Sequence, residues 1–391
     1  MKTKTWKINK LEKICEILDN KRVPISQKNR ISGIYPYYGA SGIVDYIDKY
    51  IFDEELVLIG EDGAKWGAFE NSAFIASGKY WVNNHAHILK PNNEILINKF
   101  LVYFLNYSNL EKYITGATVK KLNQQKLKQI EILLPPLKEQ KRIVGILDES
   151  FANIDESIKI LEQDLLNLDE LMQSALQKTF NPLKDTTKEN YQLPQDWEWK
   201  SLGEICEINP RNKVDDEINI SFISMDKILD GYNNKFSYVI KKWKDVKKGF
   251  THFKQGDIGL AKITPCFENK KSVIFNNLEN GIGAGTTELH IIRVGNYIIS
   301  KFLLWFFKTE KFIKNGILNM TGATGHKRVP KDFIKNLQIP LPPLQEQEKI
   351  ASYLDELSLN IKDLKQNYQT QIKNLQELKK SLLDRAFKGR L

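Results

Sequence analysis

The chain predicts an α+β fold. Two tandem α/β globular domains are each followed by a long α-helix, and the helices pair as an antiparallel coiled coil with pseudo-two-fold symmetry. Two observations carry this reading. First, Leu134-Pro135-Pro136-Leu137-Lys138-Glu139-Gln140 and Leu341-Pro342-Pro343-Leu344-Gln345-Glu346-Gln347 each open a helical pattern. Each pattern continues through an Ile (Ile143, Ile350) and a Leu-Asp-Glu triplet (147–149, 354–356) to a Phe (Phe180, Phe387), always at an offset of 207 residues. A register kept over a whole helix marks a tandem duplication. Second, both helical patterns carry an apolar stripe at coiled-coil spacing, which must be covered.

Taken in order, the first half begins Trp6-Lys7-Ile8-Asn9-Lys10-Leu11 and reaches Ile14-Cys15-Glu16-Ile17. The second begins Trp197-Glu198-Trp199-Lys200-Ser201-Leu202 and reaches Ile205-Cys206-Glu207-Ile208, at an offset of 191. Further anchors are Lys99-Phe100-Leu101 against Lys301-Phe302-Leu303 at 202, and Thr115-Gly116-Ala117-Thr118 against Thr321-Gly322-Ala323-Thr324 at 206. The boundaries that follow are a first domain over 1–136, a central helix over 137–180 and a polar, Pro-punctuated linker over 181–196. A second domain over 197–343 and a C-terminal helix over 344–391 complete the chain.

Between the anchors the halves diverge. One reads Gly33-Ile34-Tyr35-Pro36-Tyr37-Tyr38-Gly39-Ala40-Ser41-Gly42, the other Lys262-Ile263-Thr264-Pro265-Cys266-Phe267-Glu268-Asn269-Lys270-Lys271. Short β-prone runs such as Leu56–Ile59, His85–Leu89, Phe222–Ser224 and Leu289–Val294 fill these middles. The apolar segments Phe100–Tyr107 and Phe302–Phe307 read as packed helices. A common frame with different contents fits two readers of two targets; loops that vary without function give the bland alternative.

The helices are the clearest local pattern. In the first, Leu147, Phe151, Ile154, Ile158, Leu161, Leu165 and Leu168 alternate in steps of four and three, a heptad seam that continues to Met172 and Ala175. In the second, a looser stripe of Ile361, Leu364, Tyr368, Ile372, Leu375, Leu378 and Leu382 runs with Lys365 and Lys379 beside it.

Composition bounds the function. Hydrophobic residues at 41% and aromatics at 10% indicate a folded chain, and 391 residues exceed one ordinary core. No apolar run approaches the ~18 residues of a membrane span, and no signal core follows the basic start, so a cytoplasmic protein is expected. Cys15, Cys206 and Cys266 are too few and too isolated for a disulfide framework. Charge is unevenly placed: residues 138–180 are net −4 and 345–391 net +2, which leaves +12 of the chain's +10 on the globular parts. That surplus suggests a polyanionic partner there and a different one for the helices, with a solvated basic surface as the alternative.

Motifs for catalysis are missing. No phosphate loop is present, and Gly281-x-Gly283-x-Gly285 lacks the strand and helix that would make it a dinucleotide or S-adenosylmethionine site. No Asn/Asp-Pro-Pro-Tyr/Phe segment suggests amino-methylation. Glu139-x-Lys141, a fragment of a nuclease motif, is Glu346-x-Glu348 in the other copy, and a helix start explains both. His85 and His87 share a face if that run is a strand. No ligand cluster stands nearby, so hydrogen bonding or phosphate contact is expected rather than metal.

The opening Trp197–Ile208, the duplicated Leu-Pro-Pro-Leu-x-Glu-Gln with its helix and the closing Phe387-Lys388-Gly389-Arg390-Leu391 together resemble the specificity subunit of type I restriction–modification enzymes, over essentially the whole chain. The resemblance implies two target-recognition domains, each reading one half of a bipartite, asymmetric double-stranded DNA target. The helices would act as spacer and as the docking surface for two methyltransferase subunits, with two motor-nuclease restriction subunits joining that core. It implies no catalysis and no cofactor on this chain; S-adenosylmethionine, ATP and Mg would sit on partners that methylate adenine and cut unmodified DNA. Candidate DNA-binding residues in the first domain are Tyr37, Tyr38, Ser41, Lys65, Trp66, Asn84 and His85, with Lys120 and Lys121 on the backbone. In the second they are Lys262, Thr264, Asn269, Lys270, Thr286, Thr287 and Glu288, with His326, Lys327 and Arg328. A scaffold for RNA or another polyanion would share the charge and the duplication but need no rigid separation; a standalone methyltransferase or nuclease would need the missing motifs.

Overall fold

A computed structural model describes residues 6–180, 194, 196–323 and 325–391. The expected linker therefore falls almost wholly outside the described residues, as does Thr324. The chain forms two compact units, residues 1–162 with 369–391 and residues 163–368, so each unit holds one domain and a part of both long helices. No helix among the described residues is long and apolar enough to cross a membrane.

The two domains repeat one architecture. In the first, one four-stranded sheet has the order Cys15–Ile17, Ala86–Pro91, Leu56–Gly60, Ala73–Ala76, and a second has Gly42–Ile47, Ser32–Gly39, Lys79–Val82, Phe52–Asp53. The second domain gives Cys206–Ile208, Leu289–Val294, Ile258–Ala261, Ser272–Ile274 and then Val239–Lys242, Asn219–Ile223, Ile282–Gly285, Thr251–Lys254. A two-stranded ribbon joins the opening of each domain to the strand before its long helix: Lys7–Lys10 with Glu131–Leu134, and Glu198–Ser201 with Gln338–Leu341. The central strands are buried throughout, which is why Leu56–Gly60 and Ile258–Ala261 read as continuous apolar runs rather than alternating ones.

The duplicated motifs turn out to be partners. The long helices run Leu137–Phe180 and Leu344–Phe387, 44 residues each. Gln140 is fully buried; its Oε1 accepts the Ile97 N–H at 2.9 Å and its Nε2 donates to the carbonyls of Ile95 and Pro135, both at 2.8 Å. Gln347 repeats this with Ile299 N–H at 3.0 Å and the carbonyls of Tyr297 at 2.9 Å and Pro342 at 2.8 Å. About two turns on, Asp148 pairs with Lys99 at 2.8 Å and accepts from the Tyr103 hydroxyl at 2.6 Å, and Asp355 pairs with Lys301 at 2.7 Å and accepts from Trp305 Nε1 at 2.9 Å. The Leu-Asp-Glu and Lys-Phe-Leu anchors are thus two sides of one contact.

Each unit also receives the far end of the other helix. In the first, Phe387 sits among Phe100, Phe104 and Tyr107 at 5.4, 5.2 and 5.0 Å between ring centroids, with Leu383 and Ala386 buried beside it. In the second, Phe180 lies against Phe302 at 5.1 Å and Phe306 at 5.5 Å, with Met172, Ala175 and Leu176 in the same core. Within the first unit the helical segments run antiparallel, since Arg142 reaches the Leu391 carbonyl while Asp155, further along, pairs with Lys379.

The seam of the C-terminal helix differs from the expected stripe. Leu364 and Leu378 are 40% and 46% exposed and do not belong to it. A four–three alternation from buried Ile361 passes instead through Lys365, Tyr368, Ile372, Leu375, Lys379 and Leu382 to Ala386, all buried or half-buried. Two seam positions are therefore lysines, whose stems cover apolar surface while the ammonium groups reach out. Lys365 meets Asp169 at 2.5 Å in the second unit, and Lys379 meets Asp155 in the first while lying over the Phe151 ring at 5.0 Å. From Asp155 to Asp169 and from Lys379 back to Lys365 is the same two-heptad step. In the central helix Leu147, Ile154 and Leu168 are buried, and Phe151, Ile158, Leu161 and Leu165 half-buried.

These contacts predict opposite responses. Gln347→Ala strands buried backbone groups and lowers unfolding free energy by about 2–4 kcal/mol. Lys365→Leu with Lys379→Leu removes two solvent-facing ion pairs, each worth roughly 0–1 kcal/mol, and leaves stability unchanged or higher. Urea unfolding followed by tryptophan fluorescence checks both.

Candidate nucleic-acid interface

The two domains build one backbone frame at the end of their central sheet. In the first, the Glu61 N–H donates to the His85 carbonyl at 2.8 Å, Thr115 and Lys121 exchange backbone bonds at 2.9 and 2.8 Å, and Leu122 N–H donates to the Glu61 carbonyl at 2.8 Å. In the second, Lys262 N–H donates to Glu288 at 3.0 Å, Thr321 and Arg328 exchange bonds at 3.0 and 2.8 Å, and Val329 N–H donates to Lys262 at 2.8 Å. Glu61 and Lys262, His85 and Glu288, Lys121 and Arg328, Leu122 and Val329 thus hold matching places. The Thr-Gly-Ala anchor is the turn of this loop. Gly116 and Gly322 take φ of +96° and +118°, and a Cβ on Gly116 would lie 2.1 Å from the Val119 carbonyl oxygen.

Onto this frame the sequence places opposite chemistries. In the first domain His85 Nδ1 lies 2.6 Å from Asp62 Oδ1, and Lys121 Nζ lies 2.8 Å from Glu61 Oε1 and 3.9 Å from Asp62. Arg22 closes on the same Glu61 carboxylate. Burial raises the Glu61 carboxyl, but hydrogen bonds from Lys121 and Arg22 outweigh it and hold the group below the usual carboxylate range. In the second domain Arg328 grips Glu288 with two bonds, at 2.9 and 2.8 Å, and this holds Glu288 below its usual range. The His85, Lys121 and Arg328 side chains remain 51%, 44% and 43% exposed. Acid and base are exchanged at two of the matching places, Glu61 against Lys262 and His85 against Glu288, while Lys121 and Arg328 are both cations.

The other predicted residues divide. Tyr37 and Trp66 are core residues, corrected by their burial to 1% and 6%: the Tyr37 hydroxyl accepts the Ile25 N–H and Trp66 Nε1 donates to the Gly60 carbonyl. Tyr38 is half-buried, stacked on Phe74. Ser41 is exposed at the tip of the Ser32–Ile47 hairpin, whose Ala40 closes over Gly60. Asn84 is exposed beside His85, and Lys65 and Lys120 are exposed on a cavity of about 660 Å³ shared with Glu70, Glu111 and Val119. In the second domain Thr286, Thr287, His326 and Lys327 surround the Glu288–Arg328 pair along the chain, Thr286 half-buried and the others exposed. Lys262 is half-buried, and the Thr264 hydroxyl is buried with no hydrogen-bond partner. Asn269 is exposed, but Lys270 is spent internally, 2.6 Å from Glu310, 3.1 Å from the Tyr232 hydroxyl and only 12% exposed, and it leaves the candidate set.

Sequence reasoning missed Asp19, Arg22, Glu61 and Asp62, which converge from separate segments. Asp19, Glu61 and His87 are spaced as metal ligands. Arg22 and Lys121 already neutralise the carboxylates, and His87 is bonded through both ring nitrogens, to Asp19 Oδ2 and to the Leu122 carbonyl, at 2.6 Å each. His85 and His87 do not act together, since one is exposed and the other buried.

Burial first, then Lys262 and Lys331, hold His290 below the ordinary imidazole range; burial and Arg211 do the same for His252. A depressed folded pKa means that the stabilising neutral form is fully present above the unfolded value of about 6.5 and is lost as pH falls. The second domain should lose stability between pH 7 and pH 5, and His290→Gln with His252→Gln should flatten that slope in urea midpoints taken across the range.

Comparison with known proteins places this architecture. Residues 3–165 and 194–374 match the type I restriction modification DNA specificity domain. The EcoAI specificity subunit of Escherichia coli is 46% identical over 243 residues, 61% of this chain but only 41% of that protein's length. A putative type I specificity subunit of Haemophilus influenzae, S.HindORF215P, is 31% identical over 376 residues, 90% of this chain and 86% of that one. Among solved structures, the HsdS subunit from Thermoanaerobacter tengcongensis has a TM-score of 0.60 at 19% identity, covering 100% of this chain and 98% of that one. A chain from a structure describing complex assembly and conformational transition of the type I R-M system has a TM-score of 0.70 at 19% identity, covering 99% of each. With the family matched twice along its length and the fold shared, the chain belongs to the DNA specificity subunits of type I restriction–modification systems.

Proposed function

We propose that each domain reads one half of a bipartite, asymmetric DNA target and that the paired helices set the spacing between the halves. The helices also dock two methyltransferase subunits, and two restriction subunits complete the assembly. The chain performs no chemistry itself: S-adenosylmethionine, ATP and Mg act on partner subunits, which methylate adenine and cut unmodified DNA in the cytoplasm. One observation carries the reading: the same loop frame holds Glu61, His85 and Lys121 in one domain and Lys262, Glu288 and Arg328 in the other. Equal frames with unlike donors and acceptors are what two readers of different base sequences need. The basic surplus outside the helices supplies phosphate neutralisation and a strong salt dependence.

The methylome of a cell expressing this chain with its methyltransferase partner is the direct test. A bipartite adenine motif is expected; methylation by the isolated chain, or a continuous motif, overturns the reading. Glu288→Gln is expected to relax one half of the motif and leave the other intact. Inserting four residues near Asn167 adds about 6 Å to one helix, roughly two base pairs of rise. A methylated motif that keeps its original spacing after that insertion rules out the helices as the ruler.

A further inference from the structure

We infer that His87 and His290 are positioning residues for DNA reading, each a buried latch that clamps the base of its domain's recognition loop, backed by a carboxylate in the first domain and by an amide in the second. This rests on the proposal that these loops read DNA.

The geometry is duplicated. His87 lies on strand Ala86–Pro91 opposite Ile59, and His290 on strand Leu289–Val294 opposite Leu260. Both are buried, at 0% and 3% exposure. His87 Nε2 donates to the Leu122 carbonyl at 2.6 Å, and His290 Nε2 donates to the Val329 carbonyl at 2.8 Å. Leu122 and Val329 are the residues that close the two loops, directly after Lys121 and Arg328. One imidazole thus fixes the point from which each exposed cation projects. A buried carbonyl left without its donor is unfavourable, which lets the loop base shift.

The second ring nitrogen separates the two latches. His87 Nδ1 faces Asp19 Oδ2, a carboxylate that also accepts from Ile88 N–H at Oδ1 and from Gln124 Nε2 at Oδ2, both at 3.0 Å. Each ring nitrogen thus faces an acceptor, inside a network that includes Arg22, Glu61 and Lys121. In the second domain the place of Asp19 is taken by Asn209, whose Oδ1 accepts Ile291 N–H at 2.8 Å and whose Nδ2 faces His290 Nδ1 at 3.3 Å. An amide donor there requires an unprotonated Nδ1 and a neutral ring. The first loop is tied into a network of charged side chains and the second to a single amide.

The test uses the full chain in complex with its partners, comparing His87→Phe and His290→Phe, which keep a ring without donors, with His87→Gln and His290→Gln, which keep a donor. Amide hydrogen exchange of residues 115–122 and 321–329, measured without DNA, should rise about tenfold or more in the loop of the substituted domain alone. Discrimination at the matching half-site should fall about tenfold, against the other half-site as control, and the Gln variants should recover most of both. Unchanged exchange overturns the latch. Faster exchange with both half-sites still read normally overturns the positioning role, as does an equal loss of affinity for all sequences. A wild-type complex that shows no bipartite preference would fault the underlying reading instead, and the exchange result would still decide the latch.

Discussion

The buried amides of Gln140 and Gln347 set the constraint on which both halves of the chain depend. Each ties the first turn of a long helix to the loop before a packed domain helix through two hydrogen bonds, with a third to the proline carbonyl just before its own helix. A glutamine can do this because it both donates and accepts, and no apolar side chain satisfies those backbone groups. The pair Asp148–Lys99, with its counterpart Asp355–Lys301, then fixes the helix about two turns further on. Within each unit the start of the long helix and the domain are thereby fixed to one another.

The lysines of the C-terminal helix add specificity rather than strength. Asp155 and Asp169 are 62% and 50% exposed, so their ion pairs are screened and contribute little to stability. Their use lies in choosing a register: polar groups at seam positions penalise slipped pairings that leave them without partners. Stability comes from the phenylalanine-capped ends of the helices, and alignment from the charged positions between them.

Much of this was legible in the sequence because duplication announces itself. The offsets of 191, 202, 206 and 207 marked the junctions, the ribbons, the packed helices and the loop glycines, and the structure gives each a mechanical role. What stayed illegible was chemistry assembled from distant segments. Asp19 and Arg22, Glu61, His87 and Lys121 lie on four segments, and nothing in their spacing predicts a single network. Tyr37 and Trp66 misled for the opposite reason: aromatics beside glycines look like contact residues, yet each has a polar tip satisfied by a nearby backbone group, which lets it be buried. The heptad at Leu364 and Leu378 misled because hydrophobicity was followed where strict spacing led to lysine.

The make-up of the first compact unit has a consequence for how the protein is made. Residues 369–391 belong with residues 1–162, and Phe387 completes a core that includes Phe100 and Phe104. On a ribosome the amino-terminal domain therefore emerges with a gap in its interior. It must wait about 10–40 s, the time to add roughly 200 residues, before the missing helix arrives. The domain translated second has all of its parts first, and so the order of synthesis and the order of completion are reversed.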